Sequence, residues 1–152
     1  MMEATEQAVR REITVNAPPE RAFAVFTERM DTWWPRSYKI GAADLDKVVV
    51  EPREGGRWYE LGVDGSECVW GEVLVYDSPN RLVLTWCIAG DWQLDDGASE
   101  IEVTFSPAGD GTRVQIEHRH FERLRLGEAM REQVGGEGGW GGLLAAYSEA
   151  VG

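Results

Sequence analysis

Three titratable side chains occur in alternating stretches whose neighbouring positions are apolar. Glu60 lies two residues after Trp58, and His118 and His120 continue a run in which every second residue is apolar. Because side chains alternate between the two faces of a strand, this spacing predicts that one carboxylate and two imidazoles point to the buried side of a sheet. Such groups could orient the polar end of a ligand or act as general acid and base.

The same three residues also have a purely structural interpretation. They could form a hydrogen-bonded buried pair, or the histidines could reach water from the end of a strand. Two histidines at i and i+2 with one carboxylate could in outline bind a metal, but only residue type supports that idea. The chain has no GxSxG or HExxH motif. We therefore predict no catalytic residue, no metal site and no cofactor.

Tryptophan is the second unusual feature, because the chain contains seven. Indoles bring a large apolar area and one N–H donor each, and a curved sheet lined by them suits a flat or acyl-like apolar ligand. The alternative is that they fill a wide core. Trp92 could lie either at the rim or in the pocket, and six others fall near predicted pocket-facing positions: Trp33, Trp34, Trp58, Trp70, Trp86 and Trp140.

A helix at the end of the chain must hold one side of any such pocket. Its predicted apolar face has helical spacing and consists of Trp140, Leu143, Leu144, Tyr147 and Val151. Four glycines at 138, 139, 141 and 142 weaken this helix, which indicates either close backbone approach or room left beside Trp140. We expect Trp140 to insert toward the sheet near the cavity mouth.

The remaining elements read mostly as strands. Alternation predicts a strand at 9–15, and a short helix follows Pro18 with a further turn near 27–31. Six or seven largely sequential strands then predict an antiparallel sheet of α+β type, with a polar loop around 95–97. The facing of residues 68–76 stays open, because both faces are apolar and a bulge near Gly71 could switch them.

Composition limits the partners and the compartment. At 152 residues the chain is expected to form one domain, with residues 1–8 disordered. A formal net charge of −12 disfavours nucleic acid, and no segment suits membrane insertion. Two cysteines without a metal or redox spacing, and no visible signal peptide, favour a cytoplasmic protein. Monomer and homodimer are both compatible with the sequence.

Several short segments, in order along nearly the whole chain, carry a resemblance to a known family. The segments are 13–22 (ITVNAPPERA), 33–35 (WWP), 55–58 (GGRW), 79–86 (PNRLVLTW), 111–114 (GTRV) and 139–144 (GWGGLL). In these segments the chain resembles homologues of the activator of the heat-shock chaperone ATPase, within the START and birch-pollen-allergen-like (SRPBCC) superfamily.

This resemblance implies a helix-grip fold, in which a curved antiparallel sheet wraps around a long C-terminal helix and encloses a cavity. The aromatic inner face and the glycines of the final helix predict binding of a small apolar molecule in that cavity. The resemblance implies two alternatives: a cyclase- or hydrolase-type enzyme using Glu60 and His118 or His120, as in the wider superfamily, and a chaperone ATPase regulator, from the family name. The predicted ligand-binding residues are Trp33, Trp34, Tyr38, Trp58, Glu60, Trp70, Trp86, His118, His120, Trp140, Leu144 and Tyr147.

Overall fold

The structure is a computed structural model that describes residues 8–152; residues 1–7 of the segment expected to be disordered lie outside it. In the described part of the chain, one strand and one α-helix come first, six consecutive strands follow, and two α-helices come last. Their bounds are β1 (Val9–Val15), α1 (Pro19–Thr27), β2 (Leu45–Val50), β3 (Arg57–Gly62), β4 (Glu67–Asp77), β5 (Arg81–Ile88), β6 (Leu94–Ala108), β7 (Gly111–Arg119), α2 (Gly127–Gly135) and α3 (Trp140–Val151).

The strands form one antiparallel sheet in the order β1-β7-β6-β5-β4-β3-β2. The predicted α+β helix-grip fold is confirmed, and the structure shows in addition that β7 returns to pair with β1. Strands β5, β6 and β7 have an apolar inner face because their sequences alternate, and residues such as Leu84, Ile101 and Ile116 are at most 1% exposed. Their outer faces bear paired arginines and glutamates.

The final helix packs against β1 and α1, and the five residues of its predicted apolar face are all buried. Tyr147 lies deepest, and its hydroxyl donates to the Ala22 carbonyl oxygen at 2.7 Å. At the C-terminal end of the helix, the Arg21 guanidinium donates to the Val151 carbonyl oxygen at 2.9 Å. A cation at a helix C-terminus interacts favourably with the helix dipole, so this contact and the Tyr147 hydrogen bond both stabilise the packing of α1 against α3.

Strand β4 resolves the open question of facing by switching sides. Trp70 and Val73 both point inward although they are three residues apart, while Val69 and Leu74 are exposed. The register with β3 shifts beside Gly71, where an added Cβ would lie 1.8 Å from the Thr85 carbonyl oxygen. A bulge near Gly71 was one of the possibilities that the sequence left open, and this irregularity brings the Trp70 indole to the inner face.

Two local expectations are wrong. Residues 95–97 belong to β6, which begins at Leu94, because Ile88 pairs with Leu94 and lengthens the β5–β6 hairpin. Strand β7 ends at Arg119, and His120 has a left-handed φ of 65°, so strand alternation does not extend to that histidine. The two imidazoles therefore do not share a strand face.

Candidate ligand-binding cavity

A cavity of about 450 Å³ opens where the start of α3 meets the inner face of the sheet. One part of its wall is the loop before β2, from Ser37 to Ile40, and the sheet contributes Trp70, Trp86 and Ile88. The remaining wall comes from the β5–β6 turn, the end of α2 and the start of α3: Trp92, Gln133, Val134, Gly138, Gly139, Trp140 and Leu143. The volume falls within the usual range of small-molecule sites.

The four tryptophans in this wall all turn their N–H groups toward protein acceptors. The bonds are Trp70 to Glu60 Oε1 (2.9 Å), Trp86 to the Ile88 carbonyl (2.9 Å), Trp92 to Gln133 Oε1 (2.5 Å) and Trp140 to His118 Nδ1 (3.0 Å). Because their polar edges are already bonded, these indoles can offer a ligand only ring surface; Trp92 is 43% exposed, whereas Trp70, Trp86 and Trp140 are at most 3% exposed. The indole part of the wall is therefore apolar and aromatic, and its polar groups come from the loop before β2 and from Gln133.

Three predicted pocket tryptophans lie behind the wall. Trp33 donates to the Val25 carbonyl oxygen at 2.9 Å, and Trp34 donates to that of Tyr38 at 2.8 Å, which holds the loop. Trp58 is fully buried and packs edge-on against Trp70 at a centroid distance of 5.4 Å. The core-filling alternative thus describes these three indoles, whereas the pocket interpretation describes the other four.

Glu60 is a buried anchor rather than a free carboxylate. It is 2% exposed, accepts hydrogen bonds from the backbone N–H groups of Ile40 and Gly41, and also accepts from Trp70 Nε1. Among the described residues, no basic side chain lies within 4.0 Å of it. Three donors compensate the buried charge. Glu60 therefore ties the cavity loop to the Trp70 side of the wall.

His118 is fully buried and has both ring nitrogens engaged. Its Nδ1 accepts from Trp140, so the ring proton resides on Nε2, which donates to Ser99 Oγ at 2.7 Å. Burial lowers the pKa of His118 to about 3. The imidazole is consequently neutral at physiological pH, and its role in this structure is to fix the Trp140 indole in the cavity wall.

Because His118 is buried in its neutral form, we expect the free energy of unfolding to decrease at acidic pH. In the unfolded chain His118 takes up a proton near pH 6.5, whereas in the folded protein its pKa is about 3. The contribution of neutral His118 to the free energy of unfolding is therefore complete above pH 6.5 and declines as the pH falls below that value. The loss is about 1.4 kcal/mol per pH unit in that window. In urea unfolding at pH 7 and pH 5, the wild type should lose about 2 kcal/mol more than His118→Gln. Equal losses would contradict a neutral buried His118.

The other predicted residues occupy supporting positions. His120 lies after β7 with Nδ1 3.3 Å from Glu122 Oε2, outside the cavity wall. Leu144 and Tyr147 lie on the buried face of α3 and do not line the cavity either. Of the twelve predicted residues, four line the cavity: Tyr38, Trp70, Trp86 and Trp140.

Sequence reasoning missed most of the loop and helix residues in the wall, including Lys39, Ile40 and Gln133. No periodic signal marks them, because each comes from a connection or a helix end. The glycines before α3 did give a usable signal. An added Cβ on Gly139 would lie 1.9 Å from the Val134 carbonyl oxygen, and one on Gly138 would lie 2.9 Å from Tyr38 Oη. Both glycines are therefore positions of close approach, and both line the cavity.

Other chemistry is sparse in the described part of the chain. Residues 8–152 contain no group of three His, Cys, Asp or Glu side chains placed to hold a metal ion. Cys68 and Cys87 are half-buried free thiols, and burial raises the pKa of both. Within the same residues, no helix has the length and apolarity needed to cross a membrane.

A curved sheet closed by a C-terminal helix, with a cavity between them, places the protein in the START-like SRPBCC superfamily. The model of the Activator of Hsp90 ATPase homolog 1-like protein family matches residues 16–151. The chain therefore belongs to that family, as its sequence motifs predicted. No curated protein sequence matches the chain.

Two solved structures are similar in sequence as well as in fold. One is an anthrahydroquino-γ-pyrone synthase, Txn09, complexed with SUM; it is 38% identical over 97% of this chain and 99% of its own, with a TM-score of 0.65. The other is CalC, a self-sacrificing resistance protein from Micromonospora echinospora, 32% identical over 95% and 93%, with a TM-score of 0.69. Protein NE0264 from Nitrosomonas europaea shares the fold at 18% identity over 99% and 97%, with a TM-score of 0.69.

Proposed function

We propose that this protein binds a flat, polycyclic aromatic small molecule in the cavity beside Trp140. The observation that carries the proposal is the set of four wall indoles whose N–H groups are all bonded to the protein. Aromatic rings of a ligand can pack against such surfaces in offset or edge-on geometry, and none of these four indoles has an unpaired N–H that the ligand would have to satisfy.

The shape of the wall favours planar rings over a flexible chain. Trp86 and Trp140 lie 5.9 Å apart at an interplanar angle of 65°, so their faces form an angled surface. A rigid ring system loses little conformational entropy on entering such a site, whereas an acyl chain must order several bonds. The name of the 38% identical synthase contains an anthrahydroquinone, a three-ring planar system, and this supports the same ligand class.

A panel of matched ligands tests the proposal. Anthraquinone and 1-hydroxyanthraquinone should quench tryptophan fluorescence with dissociation constants of about micromolar order, and should raise the thermal midpoint. An acyl chain of similar volume, such as laurate, should bind more weakly. Replacing Trp86 with leucine should weaken quinone binding, whereas Trp33→Leu, a change of the same size behind the wall, should leave affinity unchanged.

Two results would contradict this ligand class. One is the absence of quinone binding to the folded wild type, and the other is tighter binding of laurate than of the quinones. Equal loss of affinity in Trp86→Leu and Trp33→Leu would move the site away from the cavity wall.

A second candidate is catalysis, because a 38% identical relative is named as a synthase. Glu60 and His118 have their functional atoms bonded within the protein, so polar groups on the wall itself, such as Tyr38 and Lys39, would have to act. Ring closure of a hydroxyanthraquinone with a 1,3-diketone side chain forms a γ-pyrone with loss of water. Mass-spectrometric detection of that 18 Da loss only with protein present would support catalysis; unchanged substrate would leave binding as the function.

A further inference from the structure

Lys39 has an unusual position in this acidic protein. Among the residues that line the cavity, all of them within the described 8–152, it is the one with a formal charge. The chain carries 27 acidic and 15 basic residues, so a cation beside an apolar wall is not a consequence of composition. A charged group in such a wall usually sets the orientation of a ligand.

The ammonium group of Lys39 is not neutralised by a neighbouring carboxylate. Its Nζ donates to the carbonyl oxygens of Gly41 at 2.9 Å and Ala42 at 3.4 Å, and in the described part of the chain no carboxylate lies within 4.0 Å of it. An ammonium has three N–H donors, so one is left over. By contrast, Arg36, three residues earlier, is paired with Asp31 at 2.8 Å.

The loop that carries Lys39 is held in place by groups outside the cavity. Glu60 accepts from the N–H groups of Ile40 and Gly41, and Trp34 donates to the Tyr38 carbonyl oxygen. These bonds hold the backbone on both sides of Lys39, and the bonds from Nζ to the Gly41 and Ala42 carbonyl oxygens place the ammonium group. Preorganised charge of this kind lowers the cost of binding an anion.

We propose that Lys39 recognises a single negative charge, a carboxylate or an ionised phenol, at one end of the aromatic ligand. This inference rests on the proposed function, since it assigns the polar end of the same ligand. The rings lie against the indoles, and the anionic oxygen accepts the remaining Lys39 N–H in a charge-assisted hydrogen bond. The ligand is thereby bound in one orientation.

The experiment compares two probes that differ in charge and little in shape: anthraquinone-2-carboxylate and 2-methylanthraquinone. The wild type at pH 7.5 should prefer the carboxylate by about threefold to tenfold, the range of a half-exposed ion pair. Lys39→Met should abolish that preference, so that the two probes bind with similar affinity. Lys39→Arg, which keeps the charge, should retain most of it.

Lys47 supplies the matched control, because it is the exposed lysine of β2 and lies outside the cavity. Lys47→Met changes net charge by the same amount and should keep the preference for the carboxylate. Raising NaCl from about 0.05 to 0.5 M should weaken binding of the carboxylate probe alone, because only that probe is attracted by charge.

Distinct outcomes separate the two proposals. If the wild type binds both probes equally, or if Lys39→Met keeps the preference, Lys39 does not read an anion although the cavity still binds aromatic rings. If the wild type binds neither probe, the proposed function itself fails, and the role of Lys39 fails with it. If the Lys39→Met protein folds poorly, the wild-type comparison of the two probes still tests the proposal, because equal binding of both probes overturns it.

Discussion

Replacing Trp140 with alanine should lower the free energy of unfolding by about 3–5 kcal/mol, the cost usual for a large aromatic residue in a core. Trp140 is 2% exposed, packs against Trp34 and Trp86, and donates its N–H to His118. The substitution removes all three contacts and leaves His118 Nδ1 without its donor. A protein with a total stability of about 5–15 kcal/mol should stay folded but weakened.

Trp140→Phe separates the packing of this residue from its hydrogen bond. The ring is largely kept, so the expected loss is about 1–3 kcal/mol, chiefly from the unpaired acceptor on His118. Urea denaturation gives both values, and quinone titration of the same proteins gives affinity. Because Trp140 also lines the cavity, Trp140→Ala should weaken quinone binding more than Trp140→Phe does.

Two other outcomes would contradict the assignment of Trp140 as a residue that both supports the fold and contacts the ligand. A loss of about 3–5 kcal/mol in Trp140→Ala with unchanged quinone affinity would make Trp140 a scaffold residue and place the ligand elsewhere. Equal stability losses in the alanine and phenylalanine variants would show that the bond to His118, and not the packing, accounts for the contribution of Trp140.

The sheet and the final helix were predictable because their signals are local and repeated. Alternation in β1 and β7 identifies the inner face, and the spacing from Trp140 to Val151 identifies the buried face of α3. Each of these patterns extends over several residues, so an error at one position does not alter the prediction. Such a pattern does not show where it ends: the alternation of β7 stops at Arg119 because His120 has a left-handed backbone.

The cavity was harder to predict, since its wall combines residues that are distant in sequence and lie in connections. Lys39 and Gln133 come from a loop and a helix end, and only tertiary packing makes them neighbours of Trp86. The sequence also does not show whether the polar atoms of a buried titratable side chain are already hydrogen-bonded within the protein. Sequence pattern places Glu60 and His118 inside, but it does not show that Ile40 and Trp140 already occupy their polar atoms.

Glu60 connects the two halves of the cavity wall, and its removal is expected to have the second large effect. Replacing it with leucine, a side chain of comparable size, leaves the Ile40 and Gly41 N–H groups and Trp70 Nε1 without their acceptor. Each buried unpaired donor costs about 1–3 kcal/mol, and partial access of the loop to water reduces the sum. The free energy of unfolding should fall by about 2–5 kcal/mol, as measured by urea denaturation.

Ligand binding should respond to Glu60→Leu differently from Lys39→Met. The released loop carries Ser37, Tyr38 and Lys39, so both the charged and the neutral quinone should lose affinity together. A loss confined to the carboxylate probe would mean that Glu60 acts only through the position of the Lys39 charge. Unchanged affinity for both probes would mean that the loop keeps its place without this anchor.

Cys68 reports on the Glu60 charge independently of stability. Burial and the nearby Glu60 carboxylate raise the pKa of the Cys68 thiol, whereas Cys87 is raised by burial and by Asp95 and Glu72. Glu60→Gln removes the charge and keeps one acceptor oxygen, so the Cys68 pKa should fall. At pH 8 the Cys68 thiolate should then react faster with iodoacetamide, since the thiolate is the nucleophile, while Cys87 keeps its rate. If Cys68 does not accelerate relative to Cys87, removal of the Glu60 carboxylate has not changed the charge beside Cys68, and the assignment of a buried anionic anchor at Glu60 is wrong.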